Sequence, residues 1–217
     1  MQKIELPDKI PVMVLPDCNL FPQGLLPLYI FEEKYREMVS DTLDGDRMFC
    51  IGTVDPVAVS QLKDGGEQET PPVFPYSTIG FMRACVGCED GTSNLVLQGI
   101  GRVSLSDWDF SKSYLQARPK RIRTMIDCAD TVGSLSLKLA RLADRLVTDG
   151  YAISEQARLH LDNLSDNPGD LADFVAYNFI PSAYSRQILL NEPSLDKRLD
   201  YVIKVISKLT KSVKNDD

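Results

Sequence analysis

A change of hydrophobic period near residue 125 constrains this chain more than any single motif. Before it, short β-branched and aromatic runs alternate with Pro- and Gly-containing breaks; after it, apolar residues recur at helical spacing. A period of two builds half-buried strands and a period of 3.6 builds amphipathic helices. One chain carrying both in succession is therefore α+β, with strands and helices segregated. The break predicts two parts, a β-rich 1–125 and a helical 126–217.

In the first part, residues 11–15, 48–54, 79–86, 94–97 and 114–122 read as strands between turn signals. Glu89-Asp90-Gly91-Thr92 contains an Asp-Gly pair, which accepts positive φ and predicts a hairpin. One helix interrupts the strands over 32–43, with Tyr35, Met38, Val39 and Leu43 on one face. Residues 63–72 contain no apolar side chain and read as an exposed loop. In the second part, Val132, Leu135, Leu139, Leu142 and Leu146 form one heptad-like seam. Leu195, Leu199, Val202, Ile206, Leu209 and Val213 form another, and such seams bury against each other in antiparallel helices. Between them Asn167-Pro168-Gly169-Asp170 reads as a helix start, with Asn as the cap and Pro in the first turn, and Pro181 as the stop.

Charge and cysteine usage narrow the function classes. With 31 acidic and 24 basic residues the net charge is −7, so neither nucleic acid nor an anionic membrane is expected as a partner. Five cysteines are an odd number, spread along the chain, and fit a reducing, cytoplasmic setting. The first residues do not resemble a signal peptide, and no apolar run approaches the roughly 20 residues that cross a bilayer.

The motifs that carry chemistry are thin. His160 is the single imidazole and reads as a helix-surface residue rather than a catalytic base. No glycine is followed by lysine, which excludes a G-x-x-x-x-G-K-[ST] phosphate loop. Gly99-Ile-Gly101 is followed by more strand, so it reads as relief of a tight β bend rather than a dinucleotide fingerprint. Cys85-Val-Gly-Cys88 lacks a second close ligand pair for zinc and precedes a turn rather than a helix. These thiols read as buried or incidental. No catalytic residue, metal or cofactor is expected, and the chain is not expected to be an enzyme.

Residues 11–39, PVMVLPDCNLFPQGLLPLYIFEEKYREMV, resemble the opening of the N-terminal substrate-binding domain of the Lon ATP-dependent protease. The resemblance continues through Ile79-Gly80, Asp90-Gly91, Gln98-Gly99 with Arg102, then Tyr114 and Ala117. It returns at Pro168-Gly169-Asp170-Leu171-Ala172-Asp173, Arg186-Gln187-Ile188-Leu189-Leu190 and Arg198-Leu199. It implies a PUA-like β pseudo-barrel followed by a C-terminal helical bundle. It also implies a non-enzymatic, polypeptide-binding role in substrate recognition. Cys85 and Cys88 depart from the family pattern. Lon's ATPase and Ser-Lys peptidase modules have no counterpart within these 217 residues, so none of its catalytic residues carries over.

The expected partners are unfolded or apolar polypeptide segments, with a separate ATP-dependent protease or chaperone as the collaborator this reading allows. Residues 19–27, NLFPQGLLP, offer Leu20, Phe21, Leu25 and Leu26 on a Pro/Gly-punctuated turn as contact candidates. The same side chains are as well suited to plug the β core. The alternative function is an adaptor or oligomerising protein acting through the helical half.

Overall fold

In the computed structural model, residues 5–61, 70–151, 153–162, 164 and 167–213 are described. They fall into two compact units, Met1–Ile122 and Arg123–Asp217. The architecture is α+β, a mixed sheet plus helices.

The first unit runs β1 (Ile10–Leu15), β2 (Leu25–Ile30), α1 (Glu33–Asp44), β3 (Met48–Thr53), α2 (Pro56–Ser60), β4 (Tyr76–Gly87), β5 (Ser93–Asp109) and β6 (Leu115–Arg121). The strand order is β2-β5-β4-β3-β1-β6, and β6 also pairs with β5. Hydrogen-bonded neighbours therefore form a circuit from β5 through β4, β3, β1 and β6 back to β5. β1 and β3 are parallel, and the chain between them supplies the crossover, including α1. All of β3, MFCIGT, is buried, as a strand covered on both faces must be. Alternation along β1 and β3 sends Met13, Phe49 and Ile51 into one cluster with Tyr35, Met38 and Val39 of α1. Val12, Met48 and Cys50 enter a second cluster with Ile79, Val103 and Leu105.

Several expectations hold and some shift. The Asp90-Gly91 hairpin forms, with Gly91 at φ 80° and the Cys88 N–H donating to the Thr92 carbonyl at 2.8 Å. α1 lies within about a residue of its expected span, but Leu43 is 40% exposed. Thr42 takes the buried place instead, its hydroxyl satisfied by the Met38 carbonyl at 2.6 Å. β5 runs far beyond 94–97. The loop read over 63–72 lies for the most part outside the described residues.

The second unit comprises α3 (Ala129–Thr148), α4 (Glu155–Asp162), α5 (Pro168–Phe179), α6 (Ala183–Asn191) and α7 (Leu195–Val213). The α3 stripe that is buried is Val132, Ser136, Leu139, Ala143 and Leu146, while Leu135 and Leu142 are only half-buried. α3 packs against α7 and α5, and its buried places are taken by Ser136 and Ala143 rather than Leu135 and Leu142; small side chains there suit close packing of helices. On α7, Leu195, Leu199, Val202, Ile203 and Ile206 are buried; the Val213 side chain lies outside the described residues. The α5 start forms as expected, the Asn167 side-chain oxygen accepting the N–H groups of Gly169 at 3.1 Å and Asp170 at 3.2 Å.

One charge pair sits inside this unit. Arg198 of α7 donates to Asp173 of α5 at 2.9 Å and to the Thr124 hydroxyl at 3.1 Å, and both charged residues are buried. Removing one partner of a buried pair leaves the other charge without its counter-ion. We therefore expect Asp173→Ala to lower unfolding free energy by about 3–5 kcal/mol in a urea titration. An apolar replacement of both partners, Asp173→Leu with Arg198→Met, should recover much of that loss. A single variant as stable as the parent would show the pair to be dispensable.

Candidate functional site

The segment proposed from sequence for peptide contact divides when folded. Phe21 to Gly24 form a turn in which the Gly24 N–H donates to the Phe21 carbonyl at 2.9 Å. Pro22 occupies the second position and Gln23 has φ 65°, the pattern of a type II turn. Two further backbone bonds clamp this turn to β5, Gln23 N–H to the Gly99 carbonyl and Gly99 N–H to the Gly24 carbonyl, each 2.9 Å. The clamp drives Leu20 and Phe21 into the interior, where the Arg102 guanidinium lies 5.8 Å from the Phe21 ring centroid. Both side chains are fully buried and offer no surface to a peptide. That removes Leu20 and Phe21 from the accessible candidates, and the physical reason is the close seat of their backbone on Gly99.

Leu25 and Leu26 lie not on the turn expected over 19–27 but on the strand β2. Along β2 exposure alternates: Leu25, Pro27 and Tyr29 face outward, Leu26 and Leu28 are half-buried against the core, and Ile30 is buried. Leu25 is 54% exposed and Tyr29 56%. The missed signal was the period of two in LLPLYI, obscured by Pro27; proline is tolerated in a terminal strand because such a strand has an edge without a ladder. β2 is such a strand, paired in the sheet with β5.

Register assembles the rest of the surface. Tyr29 stands opposite Asn94, which stands opposite Val86; Pro27 stands opposite Val96, which stands opposite Ala84. Two rows therefore cross β2, β5 and β4 on one face. They line a shallow groove of about 430 Å³ with no charged side chain in its wall. Val86 is 65% exposed, and Phe31 stacks beside Tyr29 with ring centroids 5.9 Å apart. Leu25, one row away, extends the same face. Sequence reasoning missed Tyr29, Val86 and Val96 because their proximity depends on pairing between segments far apart in the chain.

The remaining sequence candidates do not converge. Cys85 is half-buried against the core, opposite Leu95, whereas Cys88 is exposed in the hairpin. His160 belongs to α4, but its side chain lies outside the described residues. Among the described residues no three His, Cys, Asp or Glu side chains gather as metal ligands would, and no helix is long and apolar enough to cross a membrane. Burial pushes the Cys50 thiol up to about 12. Exposed Cys128 has the reverse shift, held down chiefly by hydrogen bonds from the Thr131 hydroxyl and N–H at the start of α3.

The thiolate is the reactive form, so a lowered value means more thiolate at a given pH. We expect Cys128 to be labelled by a thiol reagent in the native protein near neutral pH, more slowly as pH falls. Cys50 should react only after unfolding. Rapid native labelling of Cys50, read by peptide mass spectrometry, would contradict the burial seen here.

The family model for the ATP-dependent protease La (LON) substrate-binding domain matches residues 9–208. The Lon protease of Dictyoglomus thermophilum is 23% identical over 226 residues, which covers 99% of this chain and 27% of that protein. The Lon protease of Desulfosudis oleivorans is 24% identical over 203 residues, 94% of this chain and 24% of the relative. The chain thus spans about a quarter of the length of these curated relatives. Among solved structures, the N-terminal domain of a Mycobacterium avium complex Lon protease superposes with a TM-score of 0.68 at 16% identity, covering 92% of this chain and 98% of that one. A Lon N-terminal domain protein from Xanthomonas campestris gives 0.61 at 18% identity, with 90% and 97% covered. At such identities the likeness is one of fold.

Proposed function

The chain belongs to the ATP-dependent protease La (LON) substrate-binding domain family, and from that premise we propose that it is a non-enzymatic module that binds unfolded or apolar polypeptide. The contact surface in this reading is the groove across β2, β5 and β4, with Leu25 on the same outward face and Leu26 turned toward the core beneath it. The observation that carries it is the uncharged, outward row of Pro27, Tyr29, Val86 and Val96, seated on a rigid sheet. An exposed apolar face of this kind suits an extended segment with few charges. The segment docks on the face rather than adding a strand, since Pro27 supplies no N–H to a neighbour along the β2 edge.

We read the first unit as a PUA-like pseudo-barrel, supported by the strand circuit that returns to β5. The second is read as a helical bundle, supported by the shared buried seams of α3 and α7, with the parts taken as 1–125 and 126–217. The absence of nucleic acid and membrane from the partners rests on the net charge of −7, and a cytoplasmic setting on the cysteine usage. A separate ATP-dependent protease or chaperone remains the proposed collaborator. The adaptor reading through the α7 seam is less well supported, because Leu199, Val202 and Ile206 are already buried within the chain.

Magnitudes fix the expected strength. Each newly buried apolar side chain contributes roughly 1.5–3 kcal/mol. Ordering a disordered segment opposes this by roughly 2–5 kcal/mol, so a contact of three side chains gives micromolar or weaker affinity. In a titration with a permanently unfolded apolar polypeptide, Tyr29→Ser with Val86→Ser should weaken binding about tenfold or more while leaving the melt unchanged. Phe21→Ser should instead lower the melting temperature. Unchanged affinity in the folded double variant would remove this groove as the site.

A further inference from the structure

α3 presents a second surface of opposite chemistry. Its buried residues Val132, Ser136, Leu139 and Ala143 are each followed two positions later by Ser134, Lys138, Arg141 and Arg145. Two helical positions turn about 200°, so the latter set lies on the far side of the helix from the core. Leu137 stands among them, 63% exposed. With half-buried Leu142 these side chains line a depression of about 500 Å³.

The charge here runs against the whole chain, which carries −7. Lys138 and Arg141 have no ion-pair or hydrogen-bond partner among the described residues, and Arg145 reaches Asp149 at 3.5 Å. Lys138 and Arg141 are three positions apart and Arg141 and Arg145 four, the spacings at which like charges on a helix repel. Asp144 projects to one flank, about 60° around the helix from Arg141. The α3 stripe therefore has Lys138 with no acidic side chain three or four positions away, Arg141 with Asp144 at its flank, and Leu137 exposed beside Arg141.

We propose that this face docks an acidic amphipathic helix of a partner protein. Lys138 and Arg145 are separated by about 10 Å along the axis, roughly two helical turns. A partner helix with carboxylates at i, i+3 or i+4, and i+7 matches that span, and its leucines find Leu137 and Leu142 between the charges. Three cations on one helix are a small field, and the acidic remainder of the chain repels a long polyanion, which favours a short acidic helix over nucleic acid. The surface is distinct from the groove on the β unit, and its occupant is told apart by charge.

The test uses the full chain and a labelled, stapled helix built from repeats of Leu-Glu-Ala-Leu-Glu-Glu-Ala, read by fluorescence anisotropy. Saturable binding that weakens with added salt is expected, as is a roughly tenfold or greater loss on Lys138→Glu with Arg141→Glu. Leu137→Ser should weaken binding with the charges intact. All these residues are exposed, so the melt should not move; should the reversal variant fail to fold, Lys138→Gln with Arg141→Gln gives the same comparison. Equal binding by the reversal variant, or by a probe with Lys in place of Glu, overturns the proposal. So does equally tight binding of a single-stranded oligonucleotide through the same residues. A dimer seen by sedimentation, abolished by these variants in a chain that ignores the probe, assigns the face to a second copy and equally overturns it.

Discussion

β5 must serve three strands at once, and the first unit depends on how it does so. It pairs with β4 from Ser93 to Ser104, while its other edge pairs with β2 over 93–98 and with β6 from Val103 onward. A strand that changes partners has to bend, and two register shifts against β4 mark where it does. Glycine makes the bend possible. A Cβ at Gly99 would collide with the Phe21 carbonyl oxygen, and one at Gly80 would fall inside the Leu97 side chain. The missing side chain at Gly99 lets the 21–24 turn sit on the strand and exchange backbone hydrogen bonds with it. From that seat β2 leaves in register with β5, its apolar alternate residues facing out. The groove is thus a consequence of one tight backbone contact.

The helical unit solves a different problem, holding several helices in one arrangement with few large apolar side chains at some contacts. The start of α3 is tied to the start of α7: the Asp196 carboxylate accepts the Asp127 N–H at 2.8 Å, and the Leu195 N–H donates to the Met125 carbonyl at 2.9 Å. The Arg198–Asp173 pair adds a directional contact between α7 and α5. A buried pair contributes little net stability over apolar packing, yet a misplaced helix would strand both charges. Register along α7 is therefore specified by polar geometry as well as by its seam. Among the described residues, the outer face of α3 makes one ion pair, Arg145 with Asp149.

Local signals made much of this legible. The Asp90-Gly91 hairpin, the Asn167 cap and the α1 stripe depend on residues a few positions apart, where sequence and geometry are tightly coupled. What escaped was set by distant pairing. Phe21 reads equally as an accessible residue on a turn or as a plug of the β core, and the seat of its carbonyl on Gly99, far along the chain, selects the second. Pro27 argues against a strand unless the strand is terminal, and only the sheet order says that it is. On α3 the leucine pattern suggested Leu135 and Leu142 for the seam. The buried places go to Ser136 and Ala143, small side chains of the kind that suit packed helices, so volume at a contact counts as well as hydrophobicity.

The two proposed surfaces respond oppositely to solvent, which follows from their composition alone. The β groove has no charged wall, so salt has no ion pair to screen there, and an excluded anion such as sulfate strengthens apolar burial. The α3 face works through Lys138, Arg141 and Arg145 at exposed positions, where screening sets in over about 10 Å at moderate ionic strength. A polypeptide presenting an apolar stretch and, separately, an acidic helix would engage both. Linking two weak contacts raises apparent affinity through effective concentration, provided the linker spans them. In such a ligand rising salt releases the acidic helix first and leaves the apolar segment held.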